Sequence, residues 1–118
     1  MKKSLKTITF EGDPINVLSM NDQSYISIKS LCSILNIDYT SHVPVLLEDE
    51  RYIDQILDIR DADPVREVQD IYLPNMYVLG WLFSEWKLFI PIEIRHKVLP
   101  LYEFIFNYFL PAKNGTSN

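Results

Sequence analysis

The segment from residue 98 to 110 constrains the fold most strongly. It reads Val-Leu-Pro-Leu-Tyr-Glu-Phe-Ile-Phe-Asn-Tyr-Phe-Leu, and only Glu103 and Asn107 are strongly polar. At helical spacing it carries two apolar stripes. Ile94, Val98, Leu101, Ile105 and Tyr108 form one, and Leu99, Tyr102, Phe106 and Phe109 form the other. A surface helix needs one stripe, so two stripes require burial in a domain centre or at an interface. In a chain of 118 residues, burial on all sides is hard to achieve. Two explanations stay open. The N-terminal strands or the 48–73 region wrap over the second stripe, or a second copy covers it, which makes Leu99, Tyr102, Phe106 and Phe109 candidates for self-association.

The remaining periodicity points to an α+β domain. Thr7-Ile8-Thr9-Phe10 alternates and is β-branched, Glu11-Gly12-Asp13-Pro14 is turn chemistry, and Ile15-Asn16-Val17-Leu18 reads as a second strand. Asn21-Asp22-Gln23 turns the chain again before Ser24-Tyr25-Ile26-Ser27-Ile28, giving an N-terminal β-meander. The period then changes: Ile28, Leu31, Cys32 and Leu35 lie on one face of a short helix. Asn36-Ile37-Asp38 breaks it, and Asp38, Thr40 or Ser41 caps a second short helix to about Leu47, with Pro44 acceptable only in its first turn. In outline the pair resembles a helix-turn-helix.

Residues 48–70 fit either a helix face (Ile53, Ile56, Leu57, Arg60) or a hairpin, in which Ile53, Leu57 and Ile59 oppose residues 67–73 across an Asp61-Ala62-Asp63-Pro64 turn. The hairpin is the reading adopted here. Two apolar C-terminal helices follow. Asn75 caps the first, with Met76, Leu79, Gly80 and Phe83 as its stripe and Tyr77 and Trp81 beside it. Gly80 is expected to admit a neighbouring backbone. Pro91 suits the first position of the second helix, which Pro100 should kink by removing the bond to the His96 carbonyl. Residues 1–111 form the expected domain, and the small polar stretch 112–118 a loose tail.

Composition narrows the function. Lys and Arg total 11 against 16 Asp and Glu, a net charge of −5, so the chain is a poor generic nucleic-acid binder. Cys32 is the only cysteine, which excludes an intrachain disulfide, and it lies on an apolar helix face as a small core residue. No apolar run is long enough for a membrane span, and the basic start Met1-Lys2-Lys3 precedes no apolar leader core. A reducing, cytoplasmic setting is expected.

His42 and His96 are the only histidines, and with Cys32 they make no metal-ligand spacing. His42 reads as polar on the second helix, and His96 as solvent-facing beside Lys97. None of the three glycines lies in a phosphate-loop pattern. Residues 48–70 hold nine carboxylates against three arginines, a net −6, and nothing in the sequence marks two of them as buried or differently tuned. They form either a solvated face or a surface for a basic partner. No catalytic constellation, cofactor, metal or small-molecule substrate is indicated.

Leu73-Pro74-Asn75-Met76-Tyr77-Val78-Leu79-Gly80-Trp81-Leu82-Phe83, followed by Pro91-Ile92-Glu93-Ile94-Arg95 and an aromatic helix, resembles the N-terminal domain of phage antirepressor proteins, which is related to the Bro-N type. Leu73, Pro74, Gly80, Trp81, Leu82, Phe83, Pro91 and Arg95 carry the likeness. Ile26 to Leu35 and Asp38-Tyr39-Thr40-Ser41-His42 add to it, so the match spans roughly residues 5–110. Tyr39 stands where the family has Trp, His42 where it has Gln, and Leu47-Glu48-Asp49-Glu50 where relatives tend to be basic. In many members a separate domain follows.

The resemblance implies a phage or prophage regulatory protein that acts on a repressor by protein contact; Bro-N relatives are linked to DNA binding. The helix expected at 38–47 has no Lys or Arg, so protein interaction is favoured over base readout. The candidate partner surface comprises Tyr39, His42, Glu48, Asp49, Glu50 and Trp86.

Overall fold

A computed structural model describes residues 3–63, 65, 68–85 and 90–109. Two tight turns build the first half. Strands β1 (Lys3–Phe10) and β2 (Asp13–Met20) are joined by Glu11 and Gly12, with φ of 50° and 87°. Asn21 and Asp22, at 55° and 62°, join β2 to β3 (Gln23–Ser27). Positive φ at both central residues matches the right-handed strand twist, so both hairpins are two-residue loops. The strands run longer than the β-branched cores in the sequence suggest, because the second strand of each hairpin supplies a ladder partner to residues of weak propensity.

Ser27 ends the meander. Its hydroxyl accepts from the Ser30 amide at 3.1 Å, capping α1 (Ile28–Leu35), and Asn36 in the left-handed region closes that helix. Ile28, Leu31, Cys32 and Leu35 face inward and are buried, as their spacing requires. Helix α2 (Tyr39–Leu47) starts after Asp38, whose carboxylate accepts from the hydroxyls of Thr40 and Ser41. Pro44 lies in its second turn, not the first. Thr40 and Pro44 are both exposed, on the solvent side of α2, where water is at hand for a carbonyl that the Pro44 nitrogen cannot bond.

Residues 50–63 combine the two readings of the sequence. A 3₁₀ turn (Ile53–Gln55) leads into the two-residue strand β4 (Leu57–Asp58) and the one-turn helix α3 (Ile59–Ala62). β4 pairs antiparallel with β5 (Ile71–Pro74), Leu57 opposite Tyr72 and Asp58 opposite Ile71. The hairpin exists, but Asp61 and Ala62 belong to a helical turn, because the Asp58 carboxylate accepts from the Arg60 amide and caps it. The sheet has the order β1-β2-β3-β5-β4 and is antiparallel throughout, so the fold is α+β.

Alternation assigns the sheet its two faces. Ile15, Val17, Ile26, Ile71 and Leu73 point to the main core with α1, α4 (Asn75–Glu85) and α5 (Val98–Phe109). Leu18 and Tyr72 point the other way and meet Ile59, with Tyr25 and Leu57 packed beside them. α3 thus covers the β4 end of the outer face.

The C-terminal third departs from expectation in three places. α4 buries Val78, Leu79, Trp81 and Leu82, while Met76 and Phe83 are 66% and 54% exposed, so of the stripe inferred from sequence only Leu79 faces the core. Gly80 is on the exposed side, and its nearest non-local atom to an added Cβ is the Tyr52 hydroxyl at 3.8 Å; no backbone approaches it. Pro91 stands one residue before a 3₁₀ helix (Ile92–Lys97), which gives way to α5 at Val98. Pro100 therefore lies in the first turn of α5, two residues past the change of helix type, so the bond that the proline cannot make falls at that junction. The 112–118 tail lies outside the described residues.

Two substitutions on α4 check its orientation. Trp81 is fully buried, and Trp81→Ala should cost about 3–5 kcal/mol in denaturant unfolding. Gly80→Ala should raise stability by about 0.5–1 kcal/mol, since a methyl fits and Ala favours the helix; a loss of stability there would mean that α4 is rotated from the position described.

Candidate interaction surface

The outward side of α4 and the adjoining side of α5 form one aromatic face. Phe83 and Tyr102 lie 4.7 Å apart between ring centres, and Tyr102 stacks on Phe106 at 6.4 Å with an interplanar angle of 8°. Phe83, Leu99 and Phe106 are 54%, 57% and 42% exposed, and Tyr102 is half-buried beneath them. The middle of the first stripe is buried, at Val98, Leu101 and Ile105, while Ile94 is half-buried and Tyr108 at its end is exposed. Of the second stripe, Leu99 and Phe106 stay open, and no described segment wraps over them. Tyr102 and Phe109 are half-buried against the main core, and the Phe109 ring lies 4.8 Å from that of Tyr108.

At the other end of α4 the face meets an acidic corner. Glu48 and Glu50 are exposed just after α2. Asp49 grips Arg51 through two side-chain bonds, at 3.0 and 2.6 Å, which hold its carboxyl below the usual carboxylate range. The Arg51 guanidinium sits 4.9 Å from the Tyr52 ring centre, and Tyr52 meets Tyr77 edge-on at 6.4 Å. Arg51, Tyr52 and Tyr77 thereby join the acids 48–50 to the exposed side of α4. An apolar centre with a charged rim is the ordinary anatomy of a protein interface.

Two of the candidate partner residues do not belong to this surface. His42 is buried, 2% exposed, and its Nε2 accepts a 3.0 Å bond from the Trp81 indole N–H. Tyr39, His42, Val43 and Leu46 follow helical spacing, and the inward turn of that face carries the histidine with it. Tyr39 is half-buried, and its hydroxyl accepts from the Ile71 amide at 3.0 Å, tying α2 to β5. Trp86 lies outside the described residues. His96 is exposed, on the 3₁₀ segment that precedes α5.

The residues that carry the family likeness are mostly structural. Leu73, Pro74, Trp81 and Leu82 are buried. The Arg95 Nε–H donates to the Ile90 carbonyl at 3.1 Å, with Pro91 beside that carbonyl, and so fixes the approach to the 3₁₀ helix. Phe83 alone among the apolar ones faces outward.

One carboxylate pair is tuned apart, which the sequence gives no means to foresee. Burial pushes the Asp70 carboxyl up, partly offset by the Ser27 hydroxyl that donates to it at 3.2 Å. Burial pushes Asp58 up too, but its bonds from Arg60 outweigh this and leave it below the usual range. The pair sits where Ser27, α3 and β5 converge and fastens that junction. Among the described residues, an open depression at the Asn21–Asp22 turn is lined by Ser4, Met20 and Gln23, with Asp22 as its one ionisable side chain. Among the same residues, no group of three His, Cys, Asp or Glu is placed to hold a metal ion, and no helix is long and apolar enough to cross a membrane.

The His42–Trp81 bond makes stability depend on pH. Burial lowers the His42 pKa in the fold, and Nε2 must stay unprotonated to accept from the indole. In the unfolded chain the imidazole takes a proton near its ordinary value of about 6.5. The unfolded state therefore binds more protons below that pH. Stability should be complete above about pH 6.5 and fall as the pH drops, by at most about 1.4 kcal/mol per unit. Asp70, whose pKa burial raises, acts in the opposite sense. Urea unfolding between pH 7.5 and 5.5 should show the decline, and His42→Gln, which keeps an acceptor but does not titrate, should remove it.

Compared with protein-family models, curated proteins and solved structures, the chain matches none.

Proposed function

We propose that this chain is a non-catalytic, cytoplasmic regulatory module of the phage antirepressor kind, working by protein–protein contact. The observation that carries the reading is the exposed aromatic face of Phe83, Leu99, Tyr102 and Phe106, continuous through α4 with the acidic corner at 48–50. Apolar side chains grouped this way cost free energy in water unless a protein covers them. A second copy of the chain covers the α5 part, its Phe106 packed across a two-fold axis, while the acidic corner and Tyr77 remain for a regulator with a basic surface. The resemblance in the 73–95 segment makes a phage repressor the first partner to test.

The exposed residues of α2 are Thr40, Ser41, Pro44 and Val45, none of them basic. That supports contact with protein in preference to DNA, because phosphate contacts draw on Lys and Arg.

Two experiments test this. Light scattering at micromolar concentration should give twice the single-chain mass of 13.9 kDa, and Phe106→Asp should return the mass to one chain. Affinity capture from host lysate followed by mass spectrometry should retain a phage repressor, and less of it with Glu48→Lys/Glu50→Lys. Retention of nucleic acid alone, or duplex DNA binding tighter than about micromolar with a steep salt dependence, overturns the reading.

A further inference from the structure

Among the described residues the sheet ends in an open edge, and its chemistry identifies an occupant. β1 pairs with β2 on one side only and is the first strand in the order β1-β2-β3-β5-β4. In a two-residue hairpin the pair that closes the turn is hydrogen-bonded, and bonded and non-bonded pairs then alternate. Phe10 opposite Asp13 closes this turn. Ile8, Lys6 and Ser4 therefore bond to β2, while Thr9, Thr7 and Leu5 direct their N–H and C=O groups away from it. Two observations agree with that phase. Pro14, which has no N–H, stands opposite Thr9, and the Asn16 amide, opposite Thr7, donates to the Ser30 hydroxyl at 3.1 Å on the side away from β1. Leu5, Thr7 and Thr9 are all exposed.

Charge selects what fits. β1 holds Lys3 and Lys6 and no acid, in a chain whose net charge is −5. The Lys6 Nζ lies 5.4 Å from the Tyr108 ring centre, a cation–π contact that places the ammonium on the helix side of the strand. Side chains opposite one another across a ladder share a face. A residue opposite Lys6 lies beside that ammonium, where a carboxylate is favoured. Its two neighbours lie on the other face, beside Leu5 and Thr7, where β-branched apolar residues pack best. A second copy of β1 would bring another Lys6 to an already basic edge.

We propose that the β1 edge docks an extended segment of a partner protein in which acidic and β-branched apolar residues alternate, added to the sheet as a sixth strand. This goes beyond the function proposed above and uses a different surface, so the two can fail separately.

The probe is the peptide acetyl-Val-Glu-Val-Glu-Val-Glu-Val-amide, with a control in which every Glu is Lys. Amide hydrogen exchange by NMR on the wild-type chain should slow at Leu5, Thr7 and Thr9 by about tenfold or more on saturation, with no change at Ser4, Lys6 and Ile8. Thr7→Pro removes an outward N–H that β2 does not use, and should weaken peptide binding by about tenfold or more. Phe106→Asp should leave peptide binding unchanged. Should Thr7→Pro fail to fold, the exchange pattern of the wild type decides. Equal binding of the Lys control, slowing spread evenly over odd and even positions, or protection of Leu5, Thr7 and Thr9 that rises with protein concentration in the absence of peptide would each overturn the proposal, the last by assigning the edge to a second copy.

Discussion

The bond from the Trp81 indole to His42 fixes the orientation on which the rest of the molecule depends. An indole is the largest side chain a small domain can bury, and its N–H needs an acceptor once it is out of water. α2 supplies that acceptor from the same face that buries Val43 and Leu46. With Trp81 pointing inward, helical geometry sends Val78 and Leu82 the same way and leaves Met76 and Phe83 outside, with Tyr77 at the margin. The aromatic face of α4 is thus a consequence of how the core is closed. A rotation of the helix that hid Phe83 would strand the indole.

A second consequence concerns α2. The residues that secure it, Tyr39 to the Ile71 amide and His42 to Trp81, lie on its inner side, so its outer side is left with small and neutral groups. A helix that reads base edges needs the reverse arrangement, with long polar and basic side chains outward. The α1–α2 pair has the outline of a helix-turn-helix, and the bonds of α2 tie the sheet to α4.

Much of the fold is legible in the chain because local chemistry and tertiary packing agree there. Gly12 and the Asn21-Asp22 pair tolerate positive φ, so both hairpins can be read directly, and the 28, 31, 32, 35 spacing gives α1. The orientation of α4 is not legible. Met76, Leu79 and Phe83 satisfy an apolar stripe as well as Val78, Trp81 and Leu82 do, and periodicity cannot choose between two apolar faces; the indole's need for an acceptor makes the choice. Residues 50–63 are short pieces whose form is set by capping, Asp58 on the Arg60 amide and Asp49 on Arg51, and not by hydrophobic period. His42 escapes a reading by residue type because histidine is usually solvated, although its place in the 39, 42, 43, 46 series points inward. Of the surface itself, Leu99, Tyr102 and Phe106 are visible as a surplus stripe. Phe83 and Tyr77 are not, because their exposure follows from the rotation of α4.

The two sheet edges differ in a way that bears on how such a chain avoids polymerising. The excess of acid lies at 48–70, around β4, and the lysines lie on β1, so opposite edges carry opposite charge. Edges of that kind attract head to tail, a contact that does not close and leads to fibres. The geometry opposes it. β4 offers only two residues, and α3 follows at once and carries the backbone out of the ladder. Asp58, the acid nearest that edge, is held by Arg60 and takes part in the turn. A strand pairing needs several consecutive bonds to offset the order it imposes, and β4 cannot supply them. The eight-residue β1 can, which leaves one competent edge among the described strands and makes any strand that joins it the end of the sheet.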